Sequence, residues 1–283
     1  MEILLAVAVS FAVGAVSAVF GVGGGFILVP VLNAVLGVPM HLAVGSAACY
    51  VLGPATTALL YRDTKLIDWR LPLIFSGGIF FGVILGTNTL SQVAAAQSEG
   101  SLLVDYLILG TYFALLSTLG LFGIWESYRA ELYRPLPRGW VNDWTLPPTV
   151  VLAEWNAKRM SLPILSWFGL VVGFLSGLLG ISGGLLILPG LLYLFALPAQ
   201  ASVTCSMILV WIVSFQSTIA HAVQGNIELW LVAALLAGGT IGARIGTSVG
   251  KRLGSQQLRK SFGILALSTA IFVLARMIAL SLS

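Results

Sequence analysis

The chain has 283 residues, 58% of them hydrophobic and only 8% charged. A soluble domain carries about 25% charged residues, so composition excludes a free globular fold and implies a multi-pass membrane protein. The net charge of +4 sits in a few short loops, as the preference of Lys and Arg for the cytoplasmic side requires, which excludes nucleic acid as a partner.

In chain order, Met1-Glu2-Ile3 lacks the basic start of a cleavable signal, so the first apolar run is expected to remain in the protein. Runs long enough to cross a bilayer occur at 3–20, 40–61, 71–90, 102–124, 162–180, 199–221, 228–249 and 259–280. Shorter apolar pieces, 26–37 and 185–197, follow two glycine clusters, FGVGGGFILVP (20–30) and LGISGGLLILP (179–189). Glycine weakens a helix by about 1 kcal/mol per residue, so both runs are expected to be broken. Cys49 and Cys205 lie within apolar runs and read as small hydrophobes.

The two clusters belong to an internal repeat. An offset of 159 matches Gly14 with Gly173, Ser17 with Ser176, Gly21 with Gly180, Gly24 with Gly183, Gly25 with Gly184 and Pro30 with Pro189. One further residue of shift matches Gly78, Gly82 and Gly86 with Gly238, Gly242 and Gly246. The expected units are a first transmembrane repeat (1–124), a linker rich in Trp, Pro and Arg (125–161) and a second repeat (162–283).

Loop charge then orients the halves. Arg62, Lys65 and Arg70 follow the 40–61 run, and loop 91–101 has no Lys or Arg. In the second half loop 222–227 is the neutral one, and Lys251, Arg252, Arg259 and Lys260 follow the 228–249 run. Equivalent loops therefore fall on opposite sides, and the halves are expected to be inverted. Inversion needs an odd number of crossings per half, which the glycine breaks supply if each makes a hairpin or re-entrant element beside three long helices. The fold class is thus an all-α polytopic membrane protein of two inverted repeats. The linker, with Arg129, Arg134, Arg138, Lys158 and Arg159, is expected in the cytoplasm and both termini outside. Arg276, inside the last run, fits this poorly.

Irregular backbone at membrane depth survives only within protein or beside water. A half-helix starting there offers free N–H groups and a positive dipole end, an anion site without a charged side chain. The expected binding residues are therefore Gly23, Gly24, Gly25, Ser182, Gly183 and Gly184. Neutral donors on neighbouring helices are Ser46, Thr204, Cys205, Ser206 and Gln216, and Arg244 is the intramembrane cation. The glycines at every fourth position from 238 to 254 form a stripe for close helix packing.

Acids are almost absent from the runs: Asp105 lies near one end and Glu228 begins another. That scarcity argues against cation binding. His41 and His221 are candidate proton carriers, but both sit near run ends, where a capping or loop role is the expected one. No nucleophile elbow, Walker loop or zinc spacing appears, so no catalytic residue, metal ligand or cofactor is expected. The rival readings are a conducting anion channel or a transporter of another small carboxylate or oxyanion with the same fold, and an intramembrane enzyme or scaffold; the last needs a cluster of acids, bases or metal ligands.

The paired G-x-G-G-G-F-I-L-V-P and G-x-S-G-G-L-L-I-L-P elements resemble the TauE/SafE family of sulfite exporters. So do the polar stretches AVGSA (43–47) and SVTCS (202–206), HAVQGNIELW (221–230) with its echo KLIDW (65–69), and GARIG followed by KRL. The resemblance covers nearly the whole chain outside 125–161. It implies export or exchange of a small sulfur anion, sulfite or an organosulfonate such as sulfoacetate, across a bacterial inner membrane, and it leaves the oligomeric state open. Members carry Thr-Ser after the glycine of the polar stretch. Here the first half has Ser46-Ala47 and the second Thr204-Cys205-Ser206, so side-chain recognition is expected to rest mainly on the second half.

Overall fold

A computed structural model describes residues 2–61, 69–95, 103–131, 139, 141, 144, 146–152, 158–250, 252 and 255–282. Arg62, Lys65, Arg134, Arg138, Trp140, Trp155, Lys251 and Gly254 lie outside the described residues, as do the side chains of Lys158, Arg159 and Arg259. The first half contains α1 (Glu2–Phe20), α2 (Gly25–Val35), α3 (Met40–Leu60), α4 (Arg70–Ala95) and α5 (Leu103–Glu131). A hairpin of β1 (Thr149–Leu152) and β2 (Lys158–Ser161) precedes α6 (Leu162–Leu179) and α7 (Gly184–Pro189). A π-helical turn (Gly190–Leu194) prolongs α7, and α8 (Ala199–Val223), α9 (Leu229–Gly250) and α10 (Ser255–Leu282) complete the chain. Eight of these helices are long and apolar enough to cross a membrane. α5 continues past the expected boundary at 124 to Glu131, and the short β-hairpin within 125–161 is a feature the apolar runs did not signal.

Both glycine clusters do break the chain. α1 ends at Phe20 and α2 starts at Gly25; α6 ends at Leu179 and α7 starts at Gly184. Gly21, Gly23 and Gly24 have φ of 77°, 82° and 87°, and Gly180 and Gly183 have 71° and 69°. Only glycine reaches that region freely, so the helix cannot continue through it.

The glycine stripes set the packing. A Cβ on Gly238, Gly242, Gly246 or Gly250 would strike the carbonyl of Val7, Phe11, Ala15 or Val19 respectively. On the other side of the molecule, a Cβ on Gly78, Gly82 or Gly86 would strike the carbonyl of Ser166, Leu170 or Phe174. The α6 partners are the α1 partners displaced by 159, so one contact occurs twice. Numbers rise together along both members, hence α1 runs parallel to α9 and α6 parallel to α4. Each half packs its first helix on the other half, as small residues permit by letting backbones approach.

Directions elsewhere follow from named contacts. Gly45 abuts Asn226, and Gly53 abuts Leu236 and Thr240, so α3 is parallel to α9. Gln216 donates to the Ser76 carbonyl (3.4 Å) and Gln224 to Asn88 Oδ1 (2.9 Å), so α8 is parallel to α4. Between α3 and α8 the sense reverses: Trp211 Nε1 donates to Thr56 Oγ1 (3.0 Å), while Cys49 meets Thr218. α5 and α10 also oppose each other, with Gly110 beside Met277 and Gly120 beside Leu267. Since α3 leaves in the direction of α1, α2 must return toward the level at which α1 began. The α1–α2 pair is therefore a hairpin with a long arm and a short one.

Arg276 has a specific role. Its Nε donates to Asn33 Oδ1 (3.2 Å) and its Nη2 to the Asn33 carbonyl (3.4 Å). Asn33 Nδ2 in turn donates to the Val38 carbonyl (3.2 Å) and to Asp105 Oδ1 (3.4 Å). A guanidinium thus caps the C-terminal end of α2, where carbonyls lack helical partners and the dipole is negative, and ties it to α10 and α5.

Two buried tyrosines fix the hairpins. Tyr50 donates to the Ser10 carbonyl (3.1 Å) and Tyr112 to the Leu179 carbonyl (2.6 Å). Ser10 lies inside α1, whereas Leu179 ends α6, where a carbonyl has no helical partner. Tyr112→Phe is therefore expected to destabilise by about 1–3 kcal/mol, the penalty for an unsatisfied buried acceptor, and Tyr50→Phe by about 1 kcal/mol. Melting of the two variants in detergent, followed by size exclusion, checks that order.

Candidate functional site

The two breaks meet. A Cβ on Gly25 would collide with the Gly180 carbonyl and lie 3.4 Å from the Ile181 carbonyl carbon, and a Cβ on Gly184 would collide with the Val22 carbonyl. Low numbers in one segment face high numbers in the other, so 22–25 and 180–184 cross in antiparallel sense. Around them α3 and α8 supply equivalent walls. Gly23 faces Val51 and Val210 at 2.7 and 2.9 Å from the Cβ position; Gly21 faces Val203 at 3.3 Å, and Gly180 faces the Val44 carbonyl at 2.6 Å. Val203 and Val210 are Val44 and Val51 displaced by 159.

The short helices open without side-chain caps, Gly24 and Gly183 being the N-cap residues. Their first backbone bonds come from the N–H groups of Ile27 and Leu28 to the Gly24 carbonyl (3.2 and 3.1 Å). On the other side Leu186 and Ile187 donate to the Gly183 carbonyl, both at 2.9 Å. The preceding N–H groups, at Gly25 and Phe26 and at Gly184 and Leu185, have no carbonyl one turn earlier to accept them. Both helix N-termini, the positive dipole ends, thus lie at the crossing. Ser182, itself at φ 56°, is fully buried there and its hydroxyl has no partner.

The remaining expected donors divide. Ser206 is buried and donates to the Val203 carbonyl (3.0 Å), with the Gly21 carbonyl at 3.5 Å, which places it beside the first break. Thr204 and Cys205 are buried on the same turn of α8. Ser46 is buried on α3, but its hydroxyl accepts the Glu228 N–H (3.2 Å), so part of its capacity holds the start of α9. Gln216 uses its Nε2 on α4 and leaves Oε1 free. Arg244 is not brought to the crossing: it lies on the exposed face of α9, its guanidinium 5.8 Å from the Tyr61 ring centroid.

Sequence reasoning missed a set of buried hydroxyls. Ser176 on α6 and Ser214 and Ser217 on α8 are fully buried without partners, and so is the imidazole of His221. His221 was expected to cap or lie in a loop; it lies in the last turn of α8 and is fully buried. The signal was available, since 210, 214, 217 and 221 lie on one helical face. The halves also differ outside the polar stretches. Ser17 donates to the Gly14 carbonyl (3.2 Å), while its counterpart Ser176 has no partner.

Comparison with known proteins agrees on one family. The family model described as "Sulfite exporter TauE/SafE" matches residues 6–273. The chain is 26% identical over 262 residues to the "Probable membrane transporter protein YunE" of Bacillus subtilis, covering 89% of this chain and 90% of that protein. It is 27% identical over 272 residues to a "Probable membrane transporter protein" of Xylella fastidiosa, covering 95% and 92%. A 93-residue stretch is 29% identical to "Sulfite exporter TauE/SafE family protein 3" of Arabidopsis thaliana, covering 30% of this chain and 20% of that protein. No solved structure matches.

Proposed function

The chain belongs to the sulfite exporter TauE/SafE family, a family of membrane transporters, and from that premise we propose that it moves a small sulfur-containing anion, sulfite or an organosulfonate, across the bacterial plasma membrane. The observation that carries this reading is the crossing of the two breaks. Two helix N-termini, at Gly25 and Gly184, open within this buried crossing, and a sulfonate or sulfite oxygen cluster is the acceptor-rich, negative group that such ends attract. The N–H groups around Gly23–Gly25 and Ser182–Gly184 hold the anion, and the hydroxyls of Ser182 and Ser206 add neutral donors. Binding without a paired cation suits a substrate that must also leave.

The halves are inverted about an axis in the membrane plane. Support for this comes from counterpart helices that oppose each other, α3 with α8 and α5 with α10. Such a repeat gives two equivalent outlets from one central site, the arrangement used for alternating access. In this reading the linker faces the cytoplasm, both termini face outward, and the protein has no catalytic residues.

The test is thermal stabilisation of the purified protein by sulfite, sulfate, thiosulfate, sulfoacetate, isethionate, taurine, acetate and phosphate. A ligand present at 100 times its Kd and specific for the folded state adds about 2.7 kcal/mol. Stabilisation by sulfite or a sulfonate, with acetate and phosphate without effect, is the expected outcome. A response to acetate or phosphate alone overturns the sulfur assignment.

A further inference from the structure

His221 is the one described histidine with no exposed surface, and neither ring nitrogen has a hydrogen-bond partner. A buried polar group without a partner costs about 1–3 kcal/mol, so a ligand group able to pair with the ring gains at this position. The surroundings say what that partner is. Ser217 lies one turn earlier on the same face of α8, with Ser214 beyond it, and both hydroxyls are unpaired. The Gly177 backbone lies against the imidazole, and the adjacent Ser176 hydroxyl is unpaired. At the far end of this face stands Val210, which touches both breaks through Gly23 and Gly184. A stripe of buried groups able to donate thus leads along α8 from the crossing to His221, and the complement to a row of donors is an oxyanion.

Charge is scarce here. The titratable groups on the elements packed against this part of α8 are His41 in the first turn of α3, Cys49 beside Thr218, Tyr50 bonded to the Ser10 carbonyl, Arg70 at the distant start of α4, Tyr193 on the π-helical turn and Glu228 in the following loop. α6 brings none, Cys205 is on α8 itself, and none of them bonds to the imidazole. A bound anion would therefore be the dominant charge His221 meets.

We infer that His221 takes up a proton as the anion enters from the crossing, so that imidazolium and anion occupy the Ser176–Ser217 region as a neutral pair and the anion's movement is coupled to one proton. The proton comes from water and binds one ring nitrogen. It returns to water when the anion leaves. The inference rests on the anion-transport reading above and adds the coupling to it.

The chain contains two histidines, so a His41→Asn variant leaves one imidazole to follow by 15N NMR in lipid nanodiscs. Isethionate, which has no titrating proton near neutral pH, and sulfite are the probes, each with a thermal-stability measurement on the same sample. Addition of a stabilising probe is expected to convert the signal to imidazolium at a pH where the free protein is neutral. Affinity should rise about tenfold for each unit of falling pH within the linked range. His221→Gln should still be stabilised by the probe but lose this pH dependence, and Ser217→Ala should weaken binding while keeping it. An anion that stabilises the protein while the imidazole stays neutral from about pH 5.5 to 8 overturns the coupling and leaves the transport reading standing. Absence of both stabilisation and imidazolium with either probe overturns both.

Discussion

Gly25→Ala and Gly184→Ala are each expected to abolish stabilisation by sulfur anions and flux into proteoliposomes. Neither glycine needs a left-handed backbone, so the whole effect lies in approach. A methyl on Gly25 enters the Gly180 carbonyl; one on Gly184 enters the Val22 carbonyl and comes within 2.8 Å of Val210 Cγ2. The obstacle in each case is backbone, which cannot rotate aside as a side chain can. Gly180 has no room to retreat either, since its own Cβ position is 2.6 Å from the Val44 carbonyl. The crossing must open by a few tenths of an ångström or more, at about 1–3 kcal/mol for overpacking, which displaces the N–H groups at the two helix starts. Gly77→Ala is the control, because nothing lies within 4 Å of its Cβ position and alanine is the better helix former by about 1 kcal/mol. Wild-type anion stabilisation in both break variants would remove the crossing from the site.

Arg276→Leu is expected to destabilise by about 2 kcal/mol, within the range for hydrogen bonds to a charged group. The loss is twofold. The Asn33 carbonyl at the end of α2 loses its donor, and Asp105, bonded to the same asparagine, loses the nearby cation. Asn33→Ala breaks the same network from its centre, so the two changes together should cost clearly less than their sum. A double-mutant cycle read from denaturation midpoints decides it; strict additivity would mean that Arg276 and Asn33 are not coupled.

The spans, the breaks and the repeat were legible because each rests on a one-dimensional signal: apolar run length, glycine clustering and a fixed offset. The glycine stripe from 238 onward was legible as a packing face, yet a helical wheel names a face and not its partner, and the partner proved to be α1, more than 200 residues earlier. Arg276 looked misplaced because its acceptors, the Asn33 side chain and carbonyl, are 243 residues away. His221 was misjudged for a different reason. The apolar run placed it at a helix end, and it does lie in the last turn of α8, but the ring is fully buried with the Gly177 backbone of α6 against it, a partner that no one-dimensional signal names. Arg244 was read from the general cost of an arginine in lipid, which the flat face of Tyr61 at the end of α3 offsets through a cation–π contact.

The exchange of first helices between the halves has a consequence for biogenesis. α1 leaves the ribosome roughly 200 residues before α9 does, an interval on the order of ten to forty seconds at ordinary elongation rates. α4 likewise waits for α6. In water such solitary apolar helices would aggregate; in a bilayer the acyl chains solvate them as well as a protein neighbour would, and association can follow insertion as a separate stage. An interleaved topology in which the earliest helix completes its contacts near the end of synthesis is therefore open to a membrane protein in a way it is not to a cytosolic one.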